Sequence, residues 1–195
     1  IYQLNIDMIE QNYRGYLLAA HPKRPDPHLR RGVMLILDHD TTGAIGLQIN
    51  KPFSNDVSFG TVMQNVGLPY NADMDQPLYN GGTEANNRIH VIHSLDWFSP
   101  NTVKLNDTIG VSNDISVLAA LSKDQGPEHF RVVAGYTRWL PGHLNGEILG
   151  DDPWNISHTW TFIPANIEIL FGLDDIDQWH KIIDESGRIQ VSSWF

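Results

Sequence analysis

Apolar residues gather in short unbroken runs early in the chain: Gly15 to Ala20, Val33 to Leu37 and Ala44 to Ile49. Runs of this length between polar segments predict buried β-strands. The stretch His21 to Arg31 between the first two holds Pro22, Pro25 and Pro27, so it is a loop. Asp40 to Gly43 is short and polar, which predicts a hairpin joining the second and third strands. From Ser58 to Val66 the period changes. Phe59, Val62, Met63 and Val66 recur at helical spacing, and Gly67 is placed to stop the helix. Short strands are expected near Leu78 to Asn80, Ile89 to His93 and Thr108 to Val111. A second helix begins at Ser112 or Asn113, turns Ile115, Leu118 and Ala119 inward, and ends before Gly126-Pro127. Arg131 to Thr137 reads as a buried strand, and Trp139 to Trp160 as irregular and aromatic. A third helix runs from about Asp175 to Ser186, with acids suited to its N-terminus. It carries Ile176, Trp179, Ile182 and Ile183 inward and stops at Gly187. Strands outnumber helices and do not alternate with them as βαβ units. The fold class is therefore α+β with a mixed or antiparallel sheet. No shift in composition marks a boundary, so residues 1–195 read as one domain.

Charge and residue usage narrow the function. The 195 residues carry 13 Lys+Arg against 23 Asp+Glu, a formal charge of −10. Such a surface repels nucleic acid, and no helix-turn-helix pattern is readable, so direct DNA binding is not expected. Nine acids lie from Glu147 onward against only Lys181 and Arg188. Lys23, Arg24, Arg30 and Arg31 form the one concentrated basic patch, and the prolines between them should hold the guanidinium groups outward. That loop is the candidate surface for an acidic partner or for self-association. The longest apolar runs have about five residues, whereas a membrane-spanning helix needs about twenty. With no cysteine, disulfides, thiolate metal sites and cysteine nucleophiles are excluded.

Candidate chemistry is sparse. The chain lacks a P-loop, a G-x-S-x-G elbow, an H-E-x-x-H motif and a dinucleotide fingerprint. Gly43-Ala44-Ile45-Gly46 and Gly81-Gly82 read as tight turns. His143 and Glu147 stand i, i+4, with Asp151 and Asp152 close behind, a set that could serve a divalent metal on a helix. Pro141, Gly142 and Gly146 argue against a regular helix there, so a polar loop is preferred and no metal or other cofactor is expected. His39 and His93 end strands, where an imidazole can serve as acid or base or simply bond backbone. Asn50 stops the third strand, and its side chain is suited to bonding nearby backbone. Five of six tryptophans lie from Trp139 onward. Trp179 reads as core, whereas Trp139, Trp154 and Trp160 sit in irregular backbone.

Taken together, these segments resemble the AlgH/YqgE family of bacterial proteins. The likeness runs through Gly15-Tyr16-Leu17-Leu18-Ala19-Ala20, Pro22, Asp26-Pro27, Arg31, Val33, His39 and Ile49-Asn50-Lys51-Pro52. It continues through Gly81-Gly82, Ile89 to His93, Ser112-Asn113-Asp114, Gly126-Pro127, Gly135-Tyr136, Trp139, Gly142, Leu144, Glu147 and Trp154, covering about residues 15–190. The chain departs from the family pattern at Thr83, Arg138, His143, Asn145 and Pro153. It therefore looks like a divergent member, and His143 is not an inherited ligand. The resemblance implies a compact fold on a mixed, barrel-like sheet with about three main helices, and a cytoplasmic protein labelled a transcriptional regulator without a DNA-binding motif.

Two functions follow as expectations. The first is a non-catalytic regulatory protein acting through a protein partner, with interaction residues Lys23, Arg24, Arg30, Arg31, Arg138, Trp139, His143, Glu147 and Trp154. The second is an enzyme or small-ligand binder with a polar cleft formed by His39, Asn50, His93 and Asp114. A pocket joining those four side chains would favour it.

Overall fold

The computed structural model describes residues 11–54, 56–149 and 160–192. Three early strands form where the apolar runs lie: β1 (Tyr16–Ala20), β2 (Val33–Asp40) and β3 (Gly43–Gln48). β2 and β3 pair antiparallel across the expected hairpin, with Asp40 opposite Gly43. α1 (Phe59–Asn65) follows, with the Ser58 N–H donating to Thr61 Oγ1 at 3.2 Å. Then come β4 (Tyr79–Asn80), β5 (Glu84–Ser94), β6 (Val103–Lys104) and β7 (Ile109–Ser112). α2 (Ile115–Leu121), β8 (Phe130–Trp139), α3 (His143–Leu149), β9 (Trp160–Pro164), α4 (Ile167–Phe171) and α5 (Asp175–Ser192) complete the order.

The strands form one sheet in the order β6-β7-β5-β8-β3-β2-β1-β9, with β4 added parallel to β8 and every other pairing antiparallel. The sheet curls into a half-barrel. Its two edges approach each other: Asn106 Nδ2, between β6 and β7, donates to Ala165 O just past β9 at 3.0 Å. Arg14 Nη2, before β1, donates to Lys104 O of β6 at 2.9 Å. The Asn106 carboxamide oxygen also accepts the Thr108 and Ile109 N–H groups.

Alternation along the strands splits the core in three. Leu17, Leu35, Leu47, Ile92, Val111 and Val133 face the inside of the curl, where Ile169, Leu170, Trp179 and Ile182 from α4 and α5 fill one end. Leu18, Met34, Ile36 and Ala44 face outward under Leu144 and Ile148 of α3. Val91, Val132 and Ala134 face outward under α1 and α2. A half-buried ion pair anchors α5: Arg131 Nη1 reaches Asp175 Oδ1 at 3.2 Å, and Tyr79 donates its hydroxyl to the same oxygen at 3.0 Å.

Gly81-Gly82 does more than turn the chain. A Cβ on Gly81 would come within 2.3 Å of Gly135 O, because the dipeptide threads between β3 and β8. Gly81 N–H donates to Ala134 O, and Gly81 O accepts from Gln48 N–H. Only a residue without a side chain permits so close a backbone approach.

Several expectations are corrected. α2 starts later than expected, capped by the Asp114 carboxylate, because Ser112 is held in β7. Its buried residues are Val117, Leu118 and Leu121, and Ile115 is 57% exposed. α3 forms despite its glycines and the preceding proline, since Leu144 and Ile148, one turn apart, both reach the Trp139–Trp160 cluster. Trp160 opens a strand, and α5 passes through Gly187 to Ser192 with Ile176 on its exposed side.

Candidate functional site

The four side chains expected to share a cleft do not meet. His39 lies opposite Ala44, which lies opposite Trp139 on β8, whereas His93 lies opposite Phe130 at the other end of that strand. Nine residues of strand separate them, roughly 30 Å. His39 is buried against Tyr13, accepting the Tyr13 N–H on Nδ1 at 3.0 Å and sharing a side-chain bond with Asn145. Asn50 accepts from Val33 N–H at 2.7 Å and donates to Arg31 O and Asp175 O, stitching β2 to α5. Its partners are backbone groups, as expected, but they are brought in from remote segments. Asp114 caps α2, and its bonds from Ser116 hold its carboxyl below the usual carboxylate range.

His93 makes the contact that most resembles catalytic machinery. Its Nε2 lies 2.9 Å from Ser112 Oγ, which lies 2.9 Å from Thr102 Oγ1. Nδ1 bonds the Ser94 carbonyl at 2.9 Å, so it carries the proton and Nε2 accepts from the serine. Burial pushes the His93 pKa down, and both His93 and Ser112 are 0% exposed. A serine in this position joins β5 to β7 and offers its oxygen to no substrate.

The interaction set separates likewise. Arg24, expected to point outward, turns in. Its Nη2 pairs with Glu147 Oε2 at 2.9 Å, and its guanidinium lies 4.6 Å over the Trp160 ring. Trp160 Nε1 donates to the same Glu147 oxygen at 2.6 Å, and Trp139 packs edge-on against Trp160. Pairing, ring stacking and hydrogen bonding together offset the cost of burying the charge. Three of the predicted interaction residues therefore form one structural cluster. Lys23, Arg30 and Arg31 are exposed, Arg30 donating to Arg24 O at 2.6 Å and Arg31 lying 5.7 Å over Trp179. Arg138 and His143 are exposed, and Trp154 lies outside the described residues. Although α3 places His143 and Glu147 on one face, no group of three or more His, Asp or Glu suited to a metal occurs among the described residues.

The concave face offers a different site. α4 and α5 fill one end of the curl, and at the other end β2, β3, β5, β7 and β8 enclose a groove of about 340 Å³. That volume lies within the range of small-molecule sites. Its apolar wall includes Leu37, Ile45, Val111 and Tyr136, and its polar groups are Arg14, Asp38, Arg88, His90 and Asn113. His90 is the odd member. It lies opposite Val133 and so points into the curl, is 6% exposed, and leaves Nε2 without a hydrogen-bond partner. Burial first, and the Arg88 charge second, push its pKa down to about 4, so the ring is neutral at pH 7. The Tyr136 ring stands edge-on to it at 6.3 Å. Sequence reasoning passed over His90 in favour of His93. Strand alternation was the available signal, since it sets His90 on the face of Ile92 and sends His93 to the opposite one.

Fold and site together define an α+β protein on a curled, half-barrel sheet, plugged by helices at one end and open to a mixed polar and apolar groove at the other. The chain belongs to the AlgH-like family (DUF179), whose model matches residues 17–190. It is 32% identical over 175 residues to a UPF0301 protein of Sphingopyxis alaskensis, covering 90% of this chain and 89% of that one. It is 30% identical over 173 residues to a UPF0301 protein of Methylococcus capsulatus, covering 89% and 91%. The solution structure of the AlgH protein from Pseudomonas aeruginosa matches with a TM-score of 0.68 at 26% identity, over 86% of this chain and 85% of that one. No helix among the described residues is long and apolar enough to cross a membrane.

Proposed function

We propose that this protein is a non-catalytic binding protein whose ligand site is the open end of the half-barrel, and that it acts in regulation through what the groove holds. The observation that carries this reading is His90. His90 lines the groove while its Nε2 stays buried and unpartnered, so it forfeits hydrogen bonding that a small turn of the ring toward a bound ligand would restore. The sealed His93–Ser112 pair argues against hydrolytic chemistry at that place. The setting in this reading is the cytoplasm, as the family resemblance implies.

Ligand-observed NMR against a mixed library of neutral, cationic and anionic small molecules tests it, with Ile45→Trp as control. Ile45 is a half-buried wall residue, and a tryptophan there fills the groove. Hits should be retained by the native chain and lost by the variant at unchanged melting temperature. If no compound binds, or every hit survives the substitution, the groove is not a ligand site.

A protein partner is the second reading, favoured by Val66 and Ile115. They are 43% and 57% exposed and flank a second depression of about 290 Å³ between α1 and α2, which shares Arg88 and Asn113 with the groove.

A further inference from the structure

We infer that the groove at the open end of the half-barrel is a site for a small amphipathic monocarboxylate, held by Arg88 and Arg14 with its apolar body against Leu37, Val111 and Tyr136; this rests on the binding role proposed above.

The charges set the sign of the ligand. Arg88 lines the groove and has neither an ion pair nor a hydrogen bond among the described residues, in a chain whose formal charge is −10. An arginine so placed on an acidic protein is available to an outside anion. Arg14 is fixed differently. Its Nε donates to Leu37 O at 3.2 Å and its Nη2 to Lys104 O at 2.9 Å, which position the guanidinium at the wall and leave Nη1 free. Neither carbonyl neutralises its charge. Against these two cations stands one carboxylate, Asp38, which accepts the His39 N–H at 3.0 Å. Two positive charges less one negative leave a single positive charge, which one carboxylate balances and a dianionic phosphate overfills. His90 adds a neutral imidazole to the wall, and no charge that competes with the two arginines. The wall sets the rest. Leu37, Val111 and Tyr136 present apolar surface beside the charged rim, so an anion with no apolar part leaves most of the groove unused.

The test is a titration of the full ¹⁵N-labelled chain followed by amide shifts, with 4-phenylbutyrate, 4-phenylbutanamide, 4-phenylbutylamine and inorganic phosphate as probes. The carboxylate should move the amides of His90, Asn113 and Tyr136 in a saturable way. The neutral amide, its near-isostere, should bind at least tenfold more weakly, which is about 1.4 kcal/mol. Arg88 is exposed, so Arg88→Gln should keep the melting temperature while reducing the carboxylate to the affinity of the amide. If the amide or the amine binds in the groove as tightly as the carboxylate, the anion assignment fails while the binding role stands. The same holds if inorganic phosphate binds more tightly than 4-phenylbutyrate, or if Arg88→Gln changes nothing. If no probe moves the groove amides, the inference is overturned, and the broader library decides the binding role independently.

Discussion

At the scale of single residues, the histidines show how little a residue type says without its face of the strand. His39, His90 and His93 are all buried, and burial pushes each pKa down. Two have partners for their ring nitrogens, whereas the Nε2 of His90 is buried without one. This gives a pH prediction. The native state favours neutral His90, with a pKa near 4 against 6.5 in the unfolded chain. Its contribution is complete above pH 6.5 and is lost as pH falls toward 4, a change on the order of 3 kcal/mol. Arg14, Arg88 and Asp38 line the groove beside the ring, and the Arg88 charge adds to burial in favouring the neutral form. Urea denaturation at pH 7.5 and 4.5 should therefore show a smaller acid loss for His90→Phe than for the native chain. Arg24 teaches the complementary lesson. Its neighbours in sequence are exposed prolines and cations, so the sequence reads as a basic surface loop. The Glu147 and Trp160 that draw it inward lie more than a hundred residues away and leave no local trace.

At the scale of elements, periodicity located what packing rewards locally. The β2–β3 hairpin, α1 and β8 fall where the apolar pattern places them, because β2 and β8 bury continuous runs on both faces of the sheet and α1 buries one face. The elements that escaped are held by their partners more than by a pattern of their own. β6 has two exposed residues and exists because β7 pairs with it. β9 pairs along all five of its residues with β1, far away in sequence, and ends in a proline that no strand pattern suggests. α3 depends on tryptophans from two strands. Trp179 belongs to the legible group: its indole Nε1 donates to Ala20 O at 2.8 Å while the ring fills the α5 end of the curl. Trp179→Ala should cost about 3–5 kcal/mol, measured by chemical denaturation. A loss below about 1 kcal/mol would mean that α5 is not seated on the sheet as described.

At the scale of the whole molecule, charge and curvature together decide what the protein can meet. The net charge is −10, and the inward turn of Arg24 takes one cation out of the basic loop, leaving Lys23, Arg30 and Arg31 exposed there. Fluorescence anisotropy at physiological salt should accordingly show no nanomolar binding to duplex DNA; binding of that strength would overturn the expectation. The fold class was legible in composition and element order, but the groove was not. It is built from five strands that are consecutive in the sheet but scattered along the chain, and its walls converge only when the sheet curls, so no window of sequence contains it. The position of β8 carries a consequence for the protein during its synthesis. This strand lies between β5 and β3, which pair with it and not with each other. It is also the eighth of nine strands to leave the ribosome. A nascent chain that has emerged only as far as Gln125 holds two β pieces, residues 16–48 and 84–112, that meet through the short stretch where Lys51 to Phe53 runs beside Leu78 to Asn80. Each exposes an edge that the missing strand is destined to cover, and such edges invite pairing with other chains. Most of the molecule must therefore wait, open-edged, for residues 130–139, and the hazard of misassembly is concentrated in the interval before they arrive.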